Sequence, residues 1–279
     1  MKSRTYALFL AILTSLTVFS SCKKDSVPGT DSTTKPDLDV AETLPPVQIA
    51  VSTKINGNCL GFYRAVPGHY DSNLRKYPLM VFIHGIGELG NGTTDLPKVL
   101  NNAMPNLIKN KKFPANFVVG DKNFSFIVIS PQFVAWPSAE DVNAVVNFAI
   151  ANYRVDTSRI YVTGLSMGGG ATWDYAVKFA GRIAALAPMC GASSPSNSKA
   201  QSIASTNLPV WAFHNEDDPT VTVNNTKGWV STINTFNPNP LAKMTIWPTG
   251  GHNAWSKASD PNYKENNMNV YEWMLQFHR

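Results

Sequence analysis

Apolar residues along the chain gather into short continuous runs, separated by polar or amphipathic stretches. The runs fall at residues 78–83 (PLMVFI), 126–130, 159–163, 184–189, 209–213 and 243–247. PLMVFI is unbroken, as fits a central parallel strand buried on both faces, and the others, some with a polar residue at an end or in the middle, read as further strands. Between them the period changes. Residues 138–153 put Val142, Val145, Val146, Ala149 and Ile150 on one stripe, with Ser138 and Asp141 spaced as a capping box. Helices are also expected over 171–179, 225–236 and 263–277, with a short one near 103–110; the rest of 89–123 is polar and irregular. Ahead of these, residues 47–53 and Cys59–Val66 read as two strands joined at Asn56-Gly57, a hairpin signal. Strands alternating with helices predict an α/β fold, a mainly parallel central sheet with helices on both faces. No insertion is large enough for a cap domain, so residues 47–279 are expected to form one domain.

The first 46 residues follow a different pattern. Two basic residues, Lys2 and Arg4, precede an apolar run over 7–19, too short for a membrane span, so 1–21 reads as an export signal. Ser20 and Ser21 are small and Cys22 follows directly. This resembles the lipobox of bacterial lipoproteins, with Phe19 where leucine is usual. The resemblance implies cleavage before Cys22, lipidation of its thiol, and anchorage to a bacterial membrane on its periplasmic or outer surface. Residues 22–46, rich in Ser, Thr, Pro, Asp and Lys, read as a flexible tether.

Composition narrows the function. The chain has 279 residues, 43% hydrophobic, enough for a sizeable core. Its formal charge of +5 drops to about +3 without Lys2 and Arg4, and no basic cluster alternates with aromatics. Nucleic-acid binding has no support. The three cysteines, Cys22, Cys59 and Cys190, form no C-x-x-C pair, so neither a metal nor a redox site is indicated. Cys59 and Cys190 sit in apolar runs and read as buried free thiols, with pairing in an oxidising compartment as the alternative.

The chemistry centres on RIYVTGLSMGGG at 159–170. A buried strand turns sharply through Gly164-Leu165-Ser166-Met167-Gly168 into a helix, the context that gives G-x-S-x-G its meaning. Ser166 is the candidate nucleophile. A serine hydroxyl needs a histidine to take its proton and a carboxylate to orient that histidine. Of five histidines, His252 lies in a Gly-Gly-His loop directly after the 243–247 run, downstream of the serine. Carboxylates compete in His214-Asn215-Glu216-Asp217-Asp218-Pro219-Thr220-Val221. This segment resembles the H-G-x-x-D-x-x-V loop of α/β-hydrolases, which implies Asp218 as the triad acid, with Asp217 as runner-up; Asn215 replaces the usual glycine. The oxyanion donors are expected to be the amides of Met167 and of Ile86, in the HG-x-G turn His84-Gly85-Ile86-Gly87.

The stretches FIHGIGELG, ISPQ, YVTGLSMGGGATWDYAVKF, ALAPMCGA, HNEDDPTV and GGHNAWSKA resemble the esterase and polyhydroxybutyrate-depolymerase-like branch of the α/β-hydrolases, and VYEWMLQFHR resembles its closing helix. That branch includes carbohydrate esterases that release acetyl or feruloyl groups from plant polysaccharides. The resemblance covers residues 60–279 and implies the α/β-hydrolase fold, an acyl-enzyme mechanism, no metal or organic cofactor, and an ester substrate linked to polysaccharide. It leaves the particular ester open, because function does not follow from fold. Trp136, Trp255 and Glu88 stand at loop positions suited to substrate contact; the tryptophans could equally pack the loops, and Glu88 could hold its own turn. Two other readings stand beside this one. A prolyl-oligopeptidase-like peptidase shares the triad but usually carries a gating domain. A non-catalytic glycan-binding lipoprotein on the same scaffold need not retain all three triad residues.

Overall fold

In the computed structural model every residue of the strand Tyr77–Ile83 is buried. Its side chains divide by period two. Leu79, Val81 and Ile83 join one core cluster, while Met80 and Phe82 join another. A strand can bury both faces only if layers cover both sides of the sheet, and the rest of the chain supplies them. The structure describes Met1 and residues 40–279; apart from Met1, these lie in the compact unit Pro36–Arg279.

The strands are β1 Val47–Val51, β2 Cys59–Val66, β3 Tyr77–Ile83, β4 Phe117–Val119, β5 Lys122–Phe124, β6 Ile127–Phe133, β7 Val155–Leu165, β8 Ala185–Met189, β9 Trp211–Asn215 and β10 Lys243–Trp247. The helices are α1 Ala103–Lys109, α2 Ala139–Asn152, α3 Met167–Phe179, α4 Asn197–Ala204, α5 Asn224–Asn234, α6 Ala254–Ala258 and α7 Val270–Leu275. The main sheet runs β1-β2-β6-β3-β7-β8-β9-β10. β2 pairs antiparallel with β1 and with β6; from β6 to β10 all pairs are parallel. This is the α/β-hydrolase architecture expected from the sequence. One core cluster packs Val142, Val145, Trp173 and Ala176 of α2 and α3 against the sheet, with Trp173 stacked on Trp229 of α5 at 4.7 Å. The other packs Met104 and Ile108 of α1 and Tyr271 and Met274 of α7 on the opposite face.

Local sequence explains the ends of elements. Ser138 accepts from the Asp141 amide and Asp141 returns a bond to the Ser138 amide, the expected capping box on α2. The closing helix is shorter than the expected 263–277. Asn266 and Asn267 take left-handed backbone, φ 52° and 64°, and Asn269 then caps α7 in a box with Glu272. Within 89–123 the chain also forms the β4–β5 hairpin, and α4 is a further element that the apolar pattern did not mark.

The docked chain starts before the boundary expected at Val47. Glu42 is 8% exposed, and its carboxylate accepts from the amides of Thr43, Leu44 and His69 and from the His69 ring. The tether reading therefore does not hold for residues 42–46. The expected export signal over 1–21, Cys22 and the tether up to residue 39 lie outside the described residues. No helix among the described residues is long and apolar enough to cross a membrane. Cys59 and Cys190 are buried free thiols, and burial pushes both up to about 12.

Candidate active site

The turn after β7 holds Ser166 at φ 54°, ψ −117°, a strained conformation for a side-chain-bearing residue. Close backbone approach surrounds it. A Cβ on Gly168 would lie 2.1 Å from the Ile83 carbonyl oxygen, and one on Gly164 would lie 2.5 Å from that of Gly168. Only glycine fits either position. The Ser166 amide donates to the Met189 carbonyl at 3.0 Å, tying the turn to β8. α3 begins at Met167, whose N–H belongs to the first turn and has no intrahelical acceptor.

The loops after β9 and β10 bring the other expected residues to this turn. His252 Nε2 lies 2.8 Å from Ser166 Oγ, and His252 Nδ1 lies 2.7 Å from Asp218 Oδ2. The second Asp218 oxygen accepts from the amides of Thr220 and Val221 at 2.8 and 2.9 Å. Burial pushes the Asp218 carboxyl up, but the bonds from His252, Val221 and Thr220 outweigh it and hold the group below its ordinary value. Asp217 does not reach His252. Its carboxylate accepts from the amides of Gly250 and Gly251 and so braces the turn before the histidine. Glu216 is exposed and pairs with Lys227.

Several residues that the sequence reading left without a role support this chain of contacts. The fully buried His214 lies below Asp218. Its Nε2 faces two acceptors, the Val221 carbonyl at 2.9 Å and Asp218 Oδ2 at 3.2 Å, so Nε2 carries the proton and Nδ1 accepts from Thr226. Burial holds His214 below its ordinary value, against Val221 and Asp218. Asn215 donates to the Gly251 carbonyl at 2.9 Å, fastening the His252 loop to β9. Its replacement of the usual glycine was the available signal.

The His84-Gly85-Ile86-Gly87 turn stands across from Ser166. The His84 ring is 1% exposed; Nε2 accepts from the Phe133 amide at 2.9 Å and Nδ1 donates to the Gly85 carbonyl at 2.7 Å. Burial pushes His84 down to about 4, so it is a neutral strut. Ile86 opens the short turn Ile86–Glu88 and is 62% exposed at the rim. Glu88 is buried, accepts from Asn102 Nδ2, and is pushed up by burial against that bond and backbone bonds at Gly85 and Glu88. Asn102 Oδ1 in turn accepts from the Trp255 indole at 3.2 Å, and the Trp255 ring meets His252 edge to face at 5.4 Å. A groove of about 240 Å³ runs between these parts, lined by Ile86, Glu88, Asn102, Leu165, Ser166, His252 and Trp255 among others. A larger cavity, about 390 Å³, lies beside Glu42 and His69 and includes none of them.

Trp136 is not brought to the groove. Its loop is tied instead to the β1–β2 connection, where Asn58 bonds the amides of Val134 and Ala135. Among the described residues, Cys190, Asp218 and His252 have metal-ligand atoms within 4.8 Å of one another. A thiol must lose its proton to bind a metal, and burial opposes that at Cys190. Both His252 nitrogens are already engaged, by Ser166 and Asp218. The donor set suits a proton relay better than an ion.

Residues 134–279 match the profile of the dienelactone hydrolase family. A bifunctional acetylxylan esterase/xylanase from Neocallimastix patriciarum is 26% identical over 132 residues, 47% of this chain; the match spans only 17% of that protein. A thermostable esterase structure is 25% identical with a TM-score of 0.58, covering 84% of this chain and 64% of its own. The feruloyl esterase module of Clostridium thermocellum, solved with sinapinate, is 17% identical with a TM-score of 0.57, over 82% of this chain and 93% of that one.

Proposed function

The chain belongs to the dienelactone hydrolase family, and from that premise we propose that it is a serine carboxylic-ester hydrolase acting on short acyl or feruloyl esters of carbohydrate. One observation carries the mechanism: the unbroken run of contacts from Ser166 Oγ through the two nitrogens of His252 to Asp218, at 2.8 and 2.7 Å. His252 takes the proton of Ser166 as the hydroxyl attacks the ester carbonyl. Asp218 fixes the ring so that Nε2 faces the serine and steadies the imidazolium that forms. The amides of Met167 and Ile86 hold the tetrahedral oxyanion. His252 returns the proton to the departing alcohol oxygen, leaving an acyl-enzyme on Ser166. Water, deprotonated by His252, then releases the acid.

The carbohydrate side of the reading draws support from the acetylxylan esterase relative and from the feruloyl esterase whose fold the chain shares. Export and anchorage through a lipidated Cys22 are part of the same proposal, since a surface enzyme suits a polymer that cannot enter the cell. The test is kinetic. Ser166→Ala and His252→Ala are each expected to lower kcat on p-nitrophenyl acetate about 10⁴-fold or more with unchanged circular dichroism, and the double variant little further. Multiplicative losses in the double variant would refute the assignment.

A further inference from the structure

Beyond Asn102 the groove gives way to a second, separate hollow. Its volume is about 150 Å³, and it is lined by Asn101, Asn102, Asn106, Leu107, Ser256 and Ser259, with Ala103. Asn102 lines both spaces and forms the ridge between them, held by Glu88 on one side and the Trp255 indole on the other. The two spaces differ in chemistry. Ile86, Leu165 and the Trp255 ring give the groove at Ser166 a mostly apolar wall. The second hollow is walled by neutral amides and hydroxyls over one leucine, and none of the residues lining it is charged.

We propose that this second hollow is a subsite for the alcohol half of the ester, and that it takes a neutral sugar ring. The inference rests on the esterase reading above. In that reaction the departing oxygen receives its proton from His252, so the alcohol must lie on the His252 side of Ser166. The hollow is on that side: Ser256 and Ser259 come from the segment of α6 that follows the His252 loop, and Trp255, which touches the His252 ring, donates to Asn102, the residue that lines both spaces. A cavity of about 150 Å³ is of the size that admits a single six-membered ring. Part of the lining is rigid. Asn106 is held through the Leu100 carbonyl and Asn110, and the Ser259 hydroxyl donates to the Trp255 carbonyl. Part of it is available. The side chains of Asn101 and Ser256 make no hydrogen bond within the described residues. An amide that can both donate and accept, beside a hydroxyl that can do the same, suits vicinal hydroxyl groups. A charged alcohol would find no counter-charge there.

The experiment compares two substrates. p-Nitrophenyl acetate carries a flat aryl leaving group, while an acetylated xylo-oligosaccharide carries a ring with hydroxyls. Asn101→Ala and Ser256→Ala are each expected to raise KM for the oligosaccharide ester about three- to tenfold relative to KM for p-nitrophenyl acetate, the effect of one lost neutral hydrogen bond. Ser256→Phe, which narrows the hollow with an apolar ring, is expected to raise that ratio further, because a flat aryl group tolerates an apolar neighbour better than a ring whose hydroxyls lose their partners. If the native enzyme hydrolyses both esters and Ser256→Phe leaves the ratio unchanged, the subsite is wrong. Failure of the underlying reading looks different and takes the subsite with it: Ser166→Ala would retain p-nitrophenyl acetate hydrolysis, or the native enzyme would leave the oligosaccharide ester intact.

Discussion

The turn that carries Ser166 and the turn that carries Ile86 face each other across one groove, yet they are held in different ways. The Ser166 turn is shaped by crowding. Gly164 and Gly168 let the backbones of β7, α3 and β3 approach to distances that no side chain tolerates. The Ile86 turn is uncrowded at its tip: a Cβ on Gly87 would meet nothing within 4 Å. It is pinned instead by side-chain hydrogen bonds, one from within the turn and two from elsewhere. His84 donates to the Gly85 carbonyl, Gln132 donates to the Glu88 carbonyl at 2.9 Å, and Asn102 donates to the Glu88 carboxyl. Steric determinants are local and unforgiving. Hydrogen-bonded determinants are distributed, and each one contributes a modest amount.

The contrast predicts a ranking of variants. Gly168→Ala is expected to have the largest effect, because its Cβ would overlap the Ile83 carbonyl oxygen. Activity should fall about 10³-fold or more, with a loss of at least about 3 kcal/mol in urea unfolding. A well-folded, active Gly168→Ala protein would break the steric account. Gln132→Leu comes next. It strands the Glu88 and Asp95 carbonyls and the Gly92 amide, which Gln132 now satisfies from a fully buried position. Expected losses are about 10²-fold in kcat with KM little changed, as for an oxyanion donor out of place, and about 1–3 kcal/mol in stability.

A third test uses protons on the Ile86 turn. His84 is held neutral down to about 4, below its ordinary value of 6.5. Between those values the unfolded chain binds the proton that the folded one refuses, so stability falls as pH drops from about 6.5 towards 4, by up to roughly 3 kcal/mol. His84→Gln should show a shallower decline in unfolding midpoint over that window; an equal decline would remove His84 as its cause. The smallest effect belongs to Ile86→Ala. If this residue acts through its amide, trimming an exposed side chain should change kcat on p-nitrophenyl acetate less than about threefold. A loss comparable to that of Gln132→Leu would mean that the isoleucine side chain itself holds substrate or turn.

The same contrast explains what could be read in the sequence. The elbow's determinants occupy adjacent positions, so GLSMG between a buried run and a helix announced it. The PLMVFI strand and the Ser138–Asp141 cap were legible for the same reason. Residues joined only by the fold were not. Asn102 lies in a stretch that read as irregular, and nothing local ties it to Glu88 or Trp255. His214 and Asn215 were visible as parts of a motif, but their work was not: His214 bonds Thr226 of α5 besides the nearby Asp218, and Asn215 reaches across to Gly251 in the loop after β10. For Trp136 the sequence left substrate contact and loop packing open, because distance along the chain from a strand end says little about direction: Asn58 ties that loop to the β1–β2 connection, and Trp136 does not line the groove. The early docking of Glu42 escaped notice since a polar segment gives no apolar period, and its anchor is a single carboxylate.

That carboxylate also has a mechanical meaning. A pull arriving at Val40 meets Glu42 before it meets β1. Of the bonds its carboxylate accepts, those from the Thr43 and Leu44 amides are local, so the load would fall on the two from His69, its amide and its ring. Behind it, β1 is the outermost strand, and β2, β6 and β3 stand between it and β7. Tension from the amino-terminal side is thus spent on a clamp at the far edge of the sheet, and the spacing between Ser166 and His252 is insulated from it until that clamp lets go.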